Sequence, residues 1–338
     1  QENAPQEKGE WKRKMADTIL RMTGIQKYFP GVHALDNAQL EVREGEVMAL
    51  VGENGAGKST LMKVLTGIYP SDGGTIEFFG KQVQIHGPRD AQALGICIVH
   101  QELNLMQHLT VAENIFIGRE PMKGPFVDKA KQNAMTQALF EKLHLDLDPK
   151  AVVKTLSVAK QQMVEITKAL SFDSKLIIMD EPSSSLTAEE LKKLGGIIKD
   201  LRSRGISIIY ISHKLDEIFD YCDIVTIMRD GHVIDTKPIG ELTRSEMIAK
   251  MVGRTIDNEY PLRASFVGEP LLEVKNLNTN KLHDISFTLH KGEILGLVGL
   301  VGAGRTEIMR GLFGVDYITS CDVYVHGQKV RIPTPAAA

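Results

Sequence analysis

The chain has 338 residues, room for about two domains at the usual ~100–200 residues each. Its 40 Lys and Arg against 43 Asp and Glu leave a net charge of −3, which argues against naked nucleic acid as the main partner. Hydrophobic residues make up 43% and charged residues 25%, so a packed core is expected and wholesale disorder is not.

The first residues, Gln1 to Lys14, lack a basic stretch followed by an apolar core, so they do not read as a secretory signal. We take residues 1–15 as a tail. Thr18 to Thr23 and Ala38 to Val42 alternate like half-buried strands. Val47 to Val51 is a continuous apolar run that meets a glycine-rich turn, and Ser59 to Leu65 then reads as a helix. Ile96 to Val99 is strand-like. Helical patterns follow at Lys129 to Leu143, Lys160 to Leu170 and Glu189 to Arg204. Buried-strand runs at Lys175 to Met179 and Ser207 to Ile211 lie between them. Val225 to Arg229 and His232 to Asp235, joined by Asp230-Gly231, predict a hairpin. Strands alternating with helices indicate an α/β domain with a largely parallel sheet. No run approaches the ~20 apolar residues that span a bilayer. Cys97, Cys222 and Cys321 are far apart and lack CxxC spacing, which fits a reducing cytosol without disulfides or a zinc site.

A repeat organises this pattern. Gly45-Glu-Val-Met-Ala-Leu-Val-Gly-Glu-Asn-Gly-Ala-Gly-Lys58 returns as Gly292-Glu-Ile-Leu-Gly-Leu-Val-Gly-Leu-Val-Gly-Ala-Gly-Arg305, offset by 247 residues. A repeat of that size means two copies of one domain rather than a solenoid. The first copy is expected over 16–262, a connector over 263–270 after the Tyr260-Pro261 break, and the start of a second copy over 271–338. That second copy is too short to be whole. With a first residue other than Met and an Ala-rich end, the chain reads as a fragment.

Gly52-Glu53-Asn54-Gly55-Ala56-Gly57-Lys58-Ser59 fits G-x-x-x-x-G-K-[ST], a loop whose backbone N–H groups cradle phosphate oxygens. The helix that follows, starting through Thr60, adds its positive end. Lys58 is expected to reach the outer phosphates, and the Ser59 hydroxyl to bind Mg²⁺. Leu176 to Met179 ends in Asp180 and Glu181, at a strand end where ligands of parallel sheets bind. Asp180 is expected to hold Mg²⁺ through water, and Glu181 to polarise the attacking water. Further along come Gln101 after a strand, Leu156-Ser157-Val158-Ala159-Lys160-Gln161 opening a helix, Ser184 to Thr187 after Glu181-Pro182, and His213 ending a strand.

That set, in that order, resembles the ATP-binding subunit of ABC transporters over the whole first copy. The resemblance implies a P-loop NTPase fold of the ABC ATPase type, with an antiparallel β subdomain and a helical subdomain, and an incomplete second copy after it. It also implies ATP and Mg²⁺ as ligands. By the same resemblance Gln101 senses Mg²⁺ and faces the membrane subunit. Leu156 to Gln161 is the signature that caps the γ-phosphate of an opposing domain. Ser184 to Thr187 is the D-loop, and His213 is the switch histidine. Lys58, Glu181 and His213 are then the catalytic set. Phe29 is placed to stack on adenine; its neighbour Tyr28 is the other candidate, and Phe29 as plain core packing stays open.

Two departures stand out. The usual signature, LSGGQ, here reads Leu156-Ser157-Val158-Ala159-Lys160, so a methyl group sits where backbone approaches nucleotide closely. The second phosphate loop, Gly299 to Gly304 followed by Arg305 and Thr306, has arginine for lysine. Arginine keeps the charge in a bulkier planar fork, which leaves phosphate binding open with altered geometry.

The tandem layout is similar to carbohydrate importers with two fused ATPase domains. Phe29 to Leu35, His100 to Leu105, Glu113 to Arg119 and Met251 to Arg254 resemble the ribose, xylose and galactoside members. Phe126 to Asp128 and Met179 to Leu186 lean toward the galactose/methyl galactoside class. The implied partners are membrane permease subunits, a periplasmic or extracellular sugar-binding protein reached through them, and a second ATPase domain in cis or in trans. No nucleic-acid partner is expected. The implied location is peripheral, on the cytoplasmic face of the membrane. The rival readings are a tandem ABC ATPase acting on ribosomes, a repair ATPase, and a nucleotide-binding remnant without transport. The first normally has a long charged linker and two lysine loops, and the second a long coiled-coil or zinc-binding insertion.

Overall fold

The computed structural model describes residues 17–101, 103–183, 186–253, 267–299 and 302–338. The N-terminal tail, the Tyr260-Pro261 break, residues 263–266 of the expected connector, Arg254, Ser184 and Ser185 of the expected D-loop, and the Leu300-Val301 pair lie outside those residues. The chain divides into two compact units, Gln1–Asp257 and Asn258–Ala338.

The first unit opens with strands β1 (Thr18–Phe29) and β2 (Val32–Arg43), then β3 (Val47–Val51) and helix α1 (Lys58–Leu65). Strands β4 (Gly73–Phe78) and β5 (Lys81–Val83), helix α2 (Pro88–Ala93) and strand β6 (Ile96–Val99) follow. Next come α3 (Val111–Phe116), the short hairpin β7 (Met122–Lys123) and β8 (Phe126–Val127), and helices α4 (Lys129–Lys142) and α5 (Val158–Leu170). The unit continues through β9 (Leu176–Asp180), α6 (Ala188–Ser203), β10 (Ser207–Ile211), α7 (Leu215–Tyr221), the hairpin β11 (Ile224–Arg229) and β12 (His232–Pro238), and α8 (Arg244–Val252).

The central sheet has the order β12-β11-β3-β10-β9-β6. β11, β3, β10, β9 and β6 run parallel, and β12 pairs antiparallel at one edge. Such a sheet needs both faces covered, and its inner strands are therefore apolar throughout. β3 shows this directly. Every residue from Val47 to Val51 is buried, and alternate side chains enter two different cores. Met48 and Leu50 join the core with α1 and the antiparallel sheet β2-β1-β4-β5. Val47, Ala49 and Val51 join the core with α5, α6, α7 and α8. A third cluster, with Val111, Phe116, Phe140 and Val164, ties α3, α4 and α5 into a helical layer.

β1 and β2 run further than the alternation predicts. Their pairing shifts register around Gly24, which has φ 65°, so the strands continue past a bulge that breaks the period-two pattern. Helices α3, α6 and α8 each begin at a capping box, Thr110/Glu113, Thr187/Glu190 and Thr243/Glu246. The Thr243-x-x-Glu246 spacing was a readable start signal for α8, which the hydrophobic pattern alone did not reveal.

The second unit contains β13 (Pro270–Asn278), β14 (Ile285–His290), α9 (Arg305–Leu312), β15 (Ser320–Val325) and β16 (Gln328–Val330). Its sheet order, β14-β13-β15-β16, repeats β2-β1-β4-β5 of the first unit. The helix and the last two strands recur at the sequence offset of the repeat. The run Ile294 to Gly299, the counterpart of β3 and its exit, is in no strand; Ile294 is 71% exposed and Val298 94%.

Candidate nucleotide site

The site grows from the exit of β3. After Val51 the chain turns through Gly52 to Gly57, with Gly55 at φ 87° and Gly57 at φ 98°. Gly57 needs to be glycine on two counts. Its conformation is left-handed, and a Cβ there would lie 2.9 Å from the Ala34 carbonyl oxygen. Gly57 also caps α1 without any side-chain hydrogen bond. The N–H groups of the first helical turn, at Lys58, Ser59 and Thr60, therefore stay available to an anion.

Lys58 folds back over the loop. Its Nζ donates to the carbonyl oxygens of Gly52, at 2.8 Å, and Glu53, at 2.9 Å. Burial lowers its pKa, and the charges of Asp180 and Glu181 oppose that shift. Asp180 closes β9. Burial raises its pKa, the neighbouring Glu181 raises it further, and Lys58 and Lys63 pull it down. Two acids and a lysine thus share one poorly solvated place, where an added cation would relieve the strain between the carboxylates.

Glu181 stands in the left-handed region, at φ 48°, uncommon for a residue with a side chain. Its N–H donates to the Ile211 carbonyl at 2.9 Å, which ties the end of β9 to the end of β10. His213, two residues beyond β10, places Nδ1 2.7 Å from Glu181 Oε2. Gln101 follows β6. The exits of parallel strands β3, β10, β9 and β6 thus converge on one edge, as the topology of such sheets requires.

A cleft of about 940 Å³ opens there. Of the residues the sequence singled out, Asn54, Gly55, Ala56, Gly57, Lys58, Ser59, Thr60, Gln101, Asp180, Glu181 and His213 line it. Gly52 and Glu53 support Lys58 from below. Phe29 does not line it; its ring packs edge-on against Tyr69, with centroids 5.2 Å apart. That is the core-packing alternative left open for this residue. Tyr28 is exposed and stacks on His33 at 4.2 Å between centroids, and His33 does line the cleft.

The sequence reading missed His33, Val32, Asp230 and Gly231, all at the cleft. Asp230-Gly231 was read as a hairpin turn. Its place at the site follows from β11 lying beside β3, and the Gly231 N–H donates to Ala56 O at 3.2 Å.

The signature segment lies elsewhere in the unit. Ser157 caps α5 by accepting from the Lys160 N–H at 3.4 Å. Ser157, Val158 and Lys160 are exposed, whereas Ala159 is buried, so the methyl group of the departure faces inward. Gln161 Nε2 donates to the Leu156 carbonyl at 3.0 Å, and Gln107 Nε2 to Gln161 Oε1 at 3.3 Å. None of Leu156 to Gln161 lines the cleft of Lys58. In the second unit Gly304, at φ 89°, caps α9, which begins at Arg305 and Thr306, both exposed. Gly299 precedes this turn.

Residues 35–184 match the family model described as ABC transporter. The chain is 53% identical over 324 residues to a putative ribose/galactose/methyl galactoside import ATP-binding protein 2 of Burkholderia cenocepacia (strain HI2424), covering 95% of this chain and 63% of that one. It is 50% identical over 316 residues to the galactose/methyl galactoside import ATP-binding protein MglA of Escherichia coli (strain K12), covering 93% and 62%. The chain therefore spans less than two thirds of the length of these relatives. The fold matches a nucleotide-free ATP-binding cassette from an ABC transporter, with TM-score 0.62, 28% identity, and coverage of 71% of this chain and 98% of that one. With its phosphate loop, acidic strand end and histidine gathered on one sheet edge, the chain carries an ATPase domain of the ABC transporter family.

Proposed function

We propose that the chain binds and hydrolyses ATP at the first-unit cleft and that this energises import of a sugar through a membrane permease. The observation that carries the reading is the convergence of Lys58, Asp180, Glu181 and His213 on the phosphate loop. The sugar class rests on the names of the relatives: ribose or galactose and methyl galactoside. The ATPase domain has no reason to touch the sugar itself.

In this reading the N–H groups of Gly55 to Thr60 cradle the phosphates. Lys58 leaves its carbonyl partners for the outer phosphates. Ser59, Gln101 and Asp180 offer oxygen donors only, which suits a hard cation such as Mg²⁺. Bound there, Mg²⁺ would neutralise charge on the phosphate oxygens. Glu181 accepts a proton from the attacking water, and His213, already paired with Glu181, orients it. Such hydrolysis is mostly positioning and electrostatic stabilisation of the transferred group. The stacked Tyr28 and His33 pair is the better-placed platform for adenine. Ser157 and its helix end serve the γ-phosphate of another ATPase domain. The Gln101 neighbourhood, up to Arg119, meets the permease on the cytoplasmic face. Among the described residues no helix is long and apolar enough to cross a membrane. Glu181→Gln tests the assignment: hydrolysis is lost while Mg·ATP affinity is kept. Retained turnover in that variant would remove Glu181 as the base.

A further inference from the structure

A third carboxylate lies behind the site, and the chemistry above makes no use of it. Glu217, on α7, is only 2% exposed. Its Oε2 accepts from three hydroxyls: Ser183 at 2.7 Å, Tyr210 at 2.8 Å and Ser212 at 3.0 Å. Lys214 Nζ lies 3.2 Å from Oε1 and also donates to the Ser183 carbonyl at 3.0 Å. Burial alone would push this carboxyl up, but the hydrogen bonds from Ser183, Tyr210, Ser212 and Lys214 outweigh it and hold the pKa below the ordinary value. The group is an anion in the interior, and an anion so enclosed persists only where its donors are fixed.

The donors are the informative part. Ser183 stands two residues after Glu181. Ser212 and Lys214 flank His213. Tyr210 belongs to the strand that leads into it. One carboxylate therefore pins both chain segments that carry the 2.7 Å contact between Glu181 and His213. Neutral side chains would pack there at lower desolvation cost, since burying a carboxylate is expensive even beside Lys214 and three hydroxyls. What the charge adds is a fixed spacing between the two segments.

We propose that Glu217 is a positioning residue that sets His213 against Glu181 by binding the segments on either side of them. The inference rests on the hydrolytic reading for its purpose, but its geometry can be tested without turnover.

The test uses the full chain with ¹⁵N-labelled histidine rings, observed by NMR at one pH. His213→Asn assigns the His213 resonances, and Glu181→Gln shows where Nδ1 moves when its partner loses its charge. In Glu217→Gln, Nδ1 of His213 is expected to move most of the way to the Glu181→Gln position, with the other histidines unchanged. Mg·ATP affinity, which depends on Lys58 and the loop, stays at the wild-type value. A folded Glu217→Gln chain whose His213 resonances keep their wild-type positions overturns the proposal. A shift spread over all histidines also overturns it, because that would mark general loosening. Should Glu217→Gln not fold, Ser212→Ala and Tyr210→Phe each remove one donor and are expected to move Nδ1 less, in the same direction. No movement in either overturns the proposal. Failure of the wild-type chain to bind Mg·ATP would strike the hydrolytic reading and leave the His213 result standing on its own.

Discussion

The two phosphate loops end on the same glycine conformation and lie in different surroundings. Gly57 and Gly304 cap their helices at φ 98° and 89°, and α1 and α9 have equal length. The preceding runs diverge. β3 is held between β10 and β11 and is fully buried. The Ile294 to Val298 run is unpaired among the described residues, and Val298 is 94% exposed. The turn and helix are local properties of glycine spacing. The strand is not, because a buried parallel strand exists only where neighbours from distant sequence flank it. β10 brings His213, and β9 on its far side brings Asp180 and Glu181. Hence a loop that folds from local sequence is still not a complete site.

Five substitutions test this contrast. The largest effect is expected at matched positions before the loops. Met48→Ala removes a fully buried side chain and should cost about 2–5 kcal/mol in urea unfolding. Leu295→Ala, at the same place in the repeat but 38% exposed, should stay within roughly 0.5 kcal/mol. Equal losses would mean that the second run is supported after all. Next, Lys58→Ala should weaken Mg·ATP binding about 10- to 100-fold, the worth of charge-assisted bonds at ~1.5–3 kcal/mol. Arg305→Ala should leave the affinity within about twofold by the same measure, and titration calorimetry reads both.

The smallest effect concerns Asp180. Its folded pKa lies above the ordinary value, so the folded chain holds this proton where the unfolded chain has lost it. That group then makes stability fall as pH rises from the ordinary carboxylate range through the raised pKa. Asp180→Asn should therefore melt higher than wild type at neutral pH, with the gain vanishing at acid pH. A lower melting temperature at neutral pH would show that the carboxylate is stabilised, not penalised, where it stands.

Much of the site was legible because its motifs are local. The phosphate loop needs glycines at fixed spacing, and Asp180 and Glu181 end an apolar run that only a buried strand explains. Gln101 and His213 each follow such a run, and the resemblance to ABC transporter ATPases singled them out. His33 and Asp230-Gly231 were not found, since only the pairing of β11 with β3 and the β1–β2 hairpin carry them to the cleft. The choice between Phe29 and Tyr28 was left open for a related reason: along a strand, neighbours point to opposite faces, and Phe29 turns toward Tyr69 while Tyr28 stays exposed. Glu217 gave no sequence signal. A glutamate in the first turn of a helix looks like a solvated residue that favours the helix dipole. Only the folded chain shows it under three hydroxyls.

On the proposed function, catalysis at Lys58 needs the helix end at Ser157 from another ATPase domain. The direct measurement is ATP turnover per chain as a function of protein concentration. Saturable Mg·ATP binding is expected, with slow turnover that rises with concentration as chains pair. A fast rate per chain that does not change with concentration would contradict it.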